Sequence, residues 1–221
     1  MASNLRARKN HDELFPGHVS TLAKTDPELI ETFDNFAFDE VISHGDLDAR
    51  TRLMVQLAAI IACQALREYQ VMLGAALAVG VKPVEIKEIV YQAVPYVGMA
   101  KVFDFIHATN EVLAERGIEL PLPSQSTTTP ETRAEKGLAV QKQIIGSTLV
   151  EKLYASAPAD QLHVQRYLSA NCFGDTYTRN GLDLAMRELL TFSMLVALGG
   201  CDPQVKGHVG ANCMSATTGR S

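Results

Sequence analysis

The ten residues Gly199-Gly200-Cys201-Asp202-Pro203-Gln204-Val205-Lys206-Gly207-His208 hold the side chains best suited to chemistry. Asp202-Pro203 reads as a helix start, with the aspartate as cap and the proline at the first position. Cys201 then sits just before the helix, where the positive end of the dipole activates a thiol. Gln204 and His208 are four residues apart and share a helix face. Cys201 and His208 are seven apart, about two turns, so direct contact needs a bend at the cap or a bridging water. Two chemistries fit these residue types. One is thiol redox at Cys201. The other is proton transfer by His208, histidine being the side chain that most readily moves a proton near neutral pH.

Glu188, some way upstream, is a candidate buried carboxylate, as is Glu68. Arg187 lies four residues after Asp183, as Arg52 lies four after Asp48. Each pair reads first as a cap joined to an i,i+4 ion pair, with anion binding by the arginine as the sharper alternative. His11, His18, His44, His107 and His163 have no partner pattern. The four cysteines (Cys63, Cys172, Cys201, Cys213) show neither CxxC nor zinc spacing, and no motif implies a metal or cofactor.

An internal repeat frames these residues. Sliding the chain by 135 positions sets Phe38 on Phe173, Leu47 on Leu182, Asp48 on Asp183, Arg52 on Arg187 and Ala62 on Ala197. Such self-similarity decides architecture ahead of any local signal. The same slide sets Leu66 against Cys201, Tyr69 against Gln204 and Leu73 against His208. The first copy keeps the scaffold but lacks the titratable pair, so one chemical site per chain is expected, in the second copy.

The elements that must position the site read as all-α. Asp26-Pro27 starts a segment running to about Ser43, which Gly45 breaks. Asp48 caps the next helix, apolar at Leu53, Leu57, Ile60 and Ile61, with a break near Gln64 and an end at Gly80. Pro83 opens a shorter helix ending near Pro95, and a last helix runs from about Met99 to Arg116, stopped by Gly117. In the second half, helices are expected near Arg133–Ile145, near Asp160–Asn171, from Asp183 and from Asp202. No alternating strand pattern of useful length occurs. The expected division is a first repeat with its N-terminal helix over 1–117, a Pro/Ser/Thr-rich linker over 118–136, and a second repeat over 137–221. That second repeat lacks counterparts of the last two helices of the first.

The missing helices carry an expectation of their own. Leu189, Leu190, Phe192, Leu195 and Val196 form a broad apolar face. Each side chain left in water forfeits about 1.5–3 kcal/mol. Another chain is therefore expected to cover them.

With 47% hydrophobic residues the chain can build a core, and its net charge of −5 with interspersed signs argues against a nucleic-acid partner. The longest apolar stretches are too short to span a bilayer, and Met1–Phe15 is charged and lacks an apolar signal core. A soluble cytoplasmic protein without membrane contact is the expectation.

Three stretches resemble the carboxymuconolactone decarboxylase family, whose all-helical fold is shared with the alkylhydroperoxidases. They are Asp26-Pro27-Glu28-Leu29 through Phe38, Leu47-Asp48-Ala49-Arg50-Thr51-Arg52 into Ala59, and Arg187-Glu188-Leu189 leading to Gly199-Gly200-Cys201 and Gly207-His208. The resemblance covers most of residues 20–212, is similar to the tandem two-copy branch, and implies a homo-oligomer acting on a small molecule. Hydroperoxidase members use a Cys-x-x-Cys pair, a histidine four residues after the second Cys and an upstream glutamate. Here Cys201, His208 and Glu188 match the first Cys, the histidine and, one residue further off, the glutamate, while Gln204 replaces the second Cys. A two-thiol cycle would then need an external thiol, Cys172 or Cys213. Decarboxylase members release carbon dioxide from a lactone and protonate the enolate left behind. For that chemistry His208 is the general acid, Arg187 or Lys206 holds substrate carboxylates and Gln204 hydrogen-bonds the lactone. The resemblance thus implies catalytic roles for His208, Cys201 and Glu188, substrate binding by Gln204, Arg187 and Lys206, and no cofactor. Decarboxylation of a small acidic lactone or related keto acid is the first expectation and a thiol peroxidase the second. A non-catalytic oligomer subunit is the third.

Overall fold

The structure is a computed structural model that describes residues 4–218, with side chains through Gly210 and at Asn212. The side chain of Cys213, one of the possible resolving thiols, lies outside the described residues. The first repeat comprises α1 (Leu5–Leu14), α2 (Pro27–Asn35), a π-helical turn (Phe36–Glu40), α3 (Val41–His44), α4 (Ala49–Ala62), α5 (Leu66–Ala78), α6 (Pro83–Val97) and α7 (Met99–Glu115). The second comprises α8 (Arg133–Ile145), α9 (Ser147–Ser156), α10 (Leu162–Tyr167), a π-helical stretch (Leu168–Tyr177), α11 (Leu184–Leu198) and α12 (Asp202–Thr218). No strand occurs among the described residues.

The 135-residue offset holds in the detail of the caps. The Asp48 carboxylate accepts the Thr51 N–H at 2.9 Å, and its repeat mate Asp183 accepts the Met186 N–H at 2.8 Å. Those bonds hold the Asp48 carboxyl below its ordinary pKa, the Thr51 backbone N–H being the largest cause. The expected ion pairs to the arginines one turn on do not form: Arg52 donates instead to the Leu47 carbonyl at 2.7 Å. Gln64, at φ 60°, separates α4 from α5, as the break expected there requires. Pro95 does not end α6, which runs on to Val97. Helix α12 begins at Asp202, with the Val205 N–H bonded to the Cys201 carbonyl at 3.0 Å. The cap position therefore belongs to Cys201 rather than to Asp202.

Two features have no sequence expectation behind them. One is α9. The other is the π-helical widening, which falls at the same place in both repeats: Phe36–Glu40 shifted by 135 lies inside Leu168–Tyr177. In the second repeat α8 packs backbone-to-backbone on this stretch. A Cβ on Gly137 would come within 2.0 Å of the Ser169 carbonyl oxygen, and one on Gly174 within 2.1 Å of the Arg133 carbonyl oxygen.

The expected uncovered face of α11 is covered from within the chain. Helix α11 lies against α4 and α6 of the first repeat and against α12. Leu190 is fully buried and Leu195 nearly so, Leu189 and Phe192 are half-buried, and only Val196 of the five stays exposed, at 55%. Leu190 and Met194 share one core with Leu53, Leu57, Ile61, Leu73, Ile89 and Phe105. The repeat mates α4 and α11 also bond directly, Ser193 Oγ donating to the Val55 carbonyl at 2.9 Å. The first repeat thus does the covering that sequence reading assigned to a neighbouring chain.

Candidate functional site

Gly199 and Gly200 are consecutive residues at φ 71° and 67°, a reversal that few other residues tolerate. They fold α12 back along α11. Two turns into α12, His208 meets Glu188: Nδ1 lies 2.7 Å from Oε2. The carboxylate is fully buried, while the imidazole side chain remains 19% exposed. The other carboxylate oxygen, Oε1, is buried and has no hydrogen-bond partner among the described residues. One turn beyond, Asn212 Nδ2 donates to the His208 carbonyl at 2.8 Å and to the Glu188 carbonyl at 3.3 Å. In the first repeat the positions matching Glu188 and His208 hold Leu53 and Leu73, both buried in the core. The second repeat therefore places an acid–base pair where the first places an apolar contact.

The remaining expected site residues go elsewhere. Cys201 is half-buried, and its thiol donates to the Leu195 carbonyl at 3.1 Å. Gln204 and Lys206 are exposed on α12. Arg187, expected to hold a substrate carboxylate, is fully buried. Its guanidinium donates to Glu88 Oε2 at 2.9 Å, to Gln92 Oε1 at 2.9 Å and to the Arg179 and Asn180 carbonyls. Burial lowers its pKa, a shift that Glu88 opposes. Every one of these bonds is internal, so the position joins the repeats and does not face His208.

Tyr96 is the first repeat's contribution beside the histidine, its ring 6.4 Å from the imidazole in an edge-on arrangement. From it a chain of buried polar groups runs through the protein. The Tyr96 hydroxyl donates to Tyr177 at 3.1 Å, Tyr177 bonds Thr191 at 2.7 Å, and Gln92 donates to Thr191 at 2.9 Å. Gln92 then meets Arg187, Arg187 meets Glu88, and Glu88 meets Arg179. None of the α6 members was singled out from sequence. Glu88, Gln92 and Tyr96 are spaced by four, a polar stripe down one face of α6 that the sequence does display. Among the described residues no group of His, Cys, Asp and Glu could hold a metal, and no helix is long and apolar enough to cross a membrane.

Burial keeps this interior uncharged at its tyrosine and cysteine. Desolvation pushes the Tyr96 and Tyr177 hydroxyls well above their ordinary range. It also raises Cys172 to about 11, with the Glu188 charge adding to the effect. All three groups hold their protons longer folded than unfolded. Their stabilisation is thus complete below the unfolded values, near 8.5 for Cys and 10 for Tyr, and is lost as pH rises through the folded ones. Cys172 alone accounts for a loss on the order of 3 kcal/mol by about pH 11. Guanidinium unfolding at pH 7.5, 9 and 10.5 is expected to give a falling midpoint. An unchanged midpoint would show that these groups titrate freely.

The family model described as the carboxymuconolactone decarboxylase family matches residues 27–111 and 163–216. The first stretch begins at α2 and ends in α7. The second runs from α10 into α12 and includes Glu188, Cys201 and His208. No curated protein matches the chain. The two matched stretches together span more than half the sequence, and the chain belongs to the carboxymuconolactone decarboxylase family, with two helical repeats fused in tandem.

Proposed function

We propose that Glu188 and His208 form a proton-transfer dyad for decarboxylation of a small acidic lactone or a related keto acid. The observation that carries the reading is the 2.7 Å contact between His208 Nδ1 and the buried Glu188 carboxylate. A carboxylate on Nδ1–H fixes the ring's orientation and leaves Nε2 as the working nitrogen. The carbon–carbon bond to the substrate carboxylate breaks and carbon dioxide leaves. The electron pair passes to the lactone carbonyl as an enolate, and Nε2–H of the doubly protonated ring delivers the proton to carbon. Gln204, one turn before His208 and exposed, is available to hydrogen-bond the lactone. Lys206, two residues from His208, projects from another side of α12 and is not used. Carbon dioxide release from a panel of carboxylated lactones and 3-keto acids tests the proposal. Release that His208→Ala leaves unchanged would remove the dyad from the chemistry.

The thiol-peroxidase alternative rests on Cys201 at the start of α12, and less supports it. The Cys201 Sγ lies 3.1 Å from the Leu195 carbonyl oxygen, turned back onto α11. Cys172 is buried, with its pKa raised. A non-catalytic subunit, motivated by the two helices the second repeat lacks around His208, has less support than the dyad, whose two members meet at 2.7 Å.

We infer that the chain self-associates through faces the two repeats expose alike. Leu29 and Phe33 of α2 are 61% and 54% exposed, and their repeat mates Val164 and Leu168 are also exposed. Sedimentation velocity at micromolar concentration is expected to show an oligomer that Phe33→Asp weakens. A monomeric wild type would end this inference.

A further inference from the structure

A cavity of about 650 Å³ lies between α6, α7 and the linker segment 120–125, with Arg179 closing one side. Neither His208, Glu188 nor Cys201 lines it. The linker is fixed over it: the Asn180 N–H bonds the Gln125 carbonyl at 2.9 Å, and Thr127 Oγ1 donates to the Thr178 carbonyl at 2.7 Å. The walls combine apolar surface, from Val84, Ile106 and Leu122, with a small set of polar groups. This is the usual make-up of a small-molecule site.

The charges of that wall do not balance. Glu88 is the only carboxylate lining the cavity, and both Arg179 and Arg187 are paired to it at 2.9 Å. Lys87 also lines the cavity. It is only 8% exposed, and among the described residues it has no carboxylate partner. Its Nζ donates to Asn110 Oδ1 at 2.7 Å and stands 5.1 Å from the centre of the Tyr91 ring. The Arg179 guanidinium stands 5.3 Å from the centre of the same ring. Lys87 and Arg179 thus bring two positive charges to the lining against the single charge of Glu88, which Arg187, outside the lining, also engages. A buried ammonium whose partners are a neutral amide and a ring face is costly until an anion reaches it.

We propose that this cavity binds a small organic carboxylate, its charged end between Lys87 and Arg179 and its apolar body along Val84, Ile106 and Leu122. Lysine serves as a point charge for the anion, and arginine supplies directed N–H donors from whatever face Glu88 leaves free. Tyr91, flanked by both cations, offers a ring against which a planar body packs. The site is separate from the dyad, so the proposal does not depend on the decarboxylase reading.

Isothermal titration of the whole chain with benzoate tests it, with inorganic phosphate as the arm for charge alone. Benzoate is expected to bind one site per chain, with affinity that falls as sodium chloride is raised. Phosphate is expected to bind about tenfold more weakly, since it leaves the apolar wall unused. Lys87→Gln removes the charge and keeps an amide N–H on a side chain one atom shorter, and is expected to weaken benzoate by about tenfold or more. Absence of benzoate binding to the wild type would overturn the proposal, as would salt-independent binding or equal affinity in Lys87→Gln. Phosphate binding as tightly as benzoate would overturn the assignment of an apolar body. If Lys87→Gln loses its helical circular dichroism, the salt dependence of the wild type decides.

Discussion

Replacing Glu88 by alanine is expected to lower the free energy of unfolding by roughly 3–5 kcal/mol, the usual cost of removing one partner from a buried ion pair. Glu88 is almost wholly buried and receives Arg187 from α11 and Arg179 from the segment before it. Without it the fully buried Arg187 guanidinium keeps only Gln92 and two carbonyls, and its Nε already lacks a partner. The loss falls on the seam between repeats, since Glu88 belongs to the first and Arg187 to the second. Urea unfolding followed by circular dichroism reads the effect. The double variant Glu88→Met/Arg187→Met is expected to recover much of it, because an apolar pair of similar volume strands no fully buried charge, and Arg179, which also loses its partner, is partly exposed to water. A single-variant loss below about 1 kcal/mol would mean that water reaches Arg187, and that the pair is no more than a surface bridge.

The second large effect falls on chemistry. His208→Ala is expected to reduce decarboxylation by about 10²- to 10⁴-fold, the range supplied by a positioned general acid or base. Because the imidazole is the partner of the buried Glu188 carboxylate, the unfolding midpoint is expected to fall as well, so rates are compared at a temperature where circular dichroism shows both proteins folded. Glu188→Gln keeps the size of the side chain and removes its charge. We expect it to reduce kcat less than His208→Ala and to displace the pH profile of kcat, because Glu188 acts through the histidine. A lower rate on an unmoved profile would mark Glu188 as a packing residue only.

Much of the scaffold was legible because it is written in local signals. Asp48 and Asp183 cap their helices with the same bond 135 residues apart. The break expected near Gln64 separates α4 from α5. Each of these needs only a few neighbouring residues. The Cys201–His208 spacing drew attention to α12, and the sequence also brought forward Glu188. Their pairing was not legible, because whether α12 returns along α11 depends on the angle set at two glycines.

What stayed hidden depends on tertiary packing. The cover over α11 was expected from another chain, yet α4 and α6 of the first repeat supply it. The spacing points to a local ion pair of Arg187 with Asp183 and the family resemblance to a substrate-binding cation, and neither signal reaches beyond neighbouring residues. The partner of Arg187 lies 99 positions away on α6. The Glu88, Gln92 and Tyr96 stripe was present in the sequence, but polar spacing of four usually marks a solvated face. The π-helical widening in each repeat is set by packing, as the close approach at Gly137 and Gly174 illustrates.

The dyad is the centre of the functional reading, and one comparison tests it most directly. Carbon dioxide release from the most responsive lactone or keto acid is measured for the wild type, His208→Ala and Cys201→Ser under identical conditions. The expected result is release by the wild type and by Cys201→Ser at similar rates, with near-complete loss in His208→Ala. Loss in Cys201→Ser with retention in His208→Ala would contradict it and transfer the chemistry to the thiol.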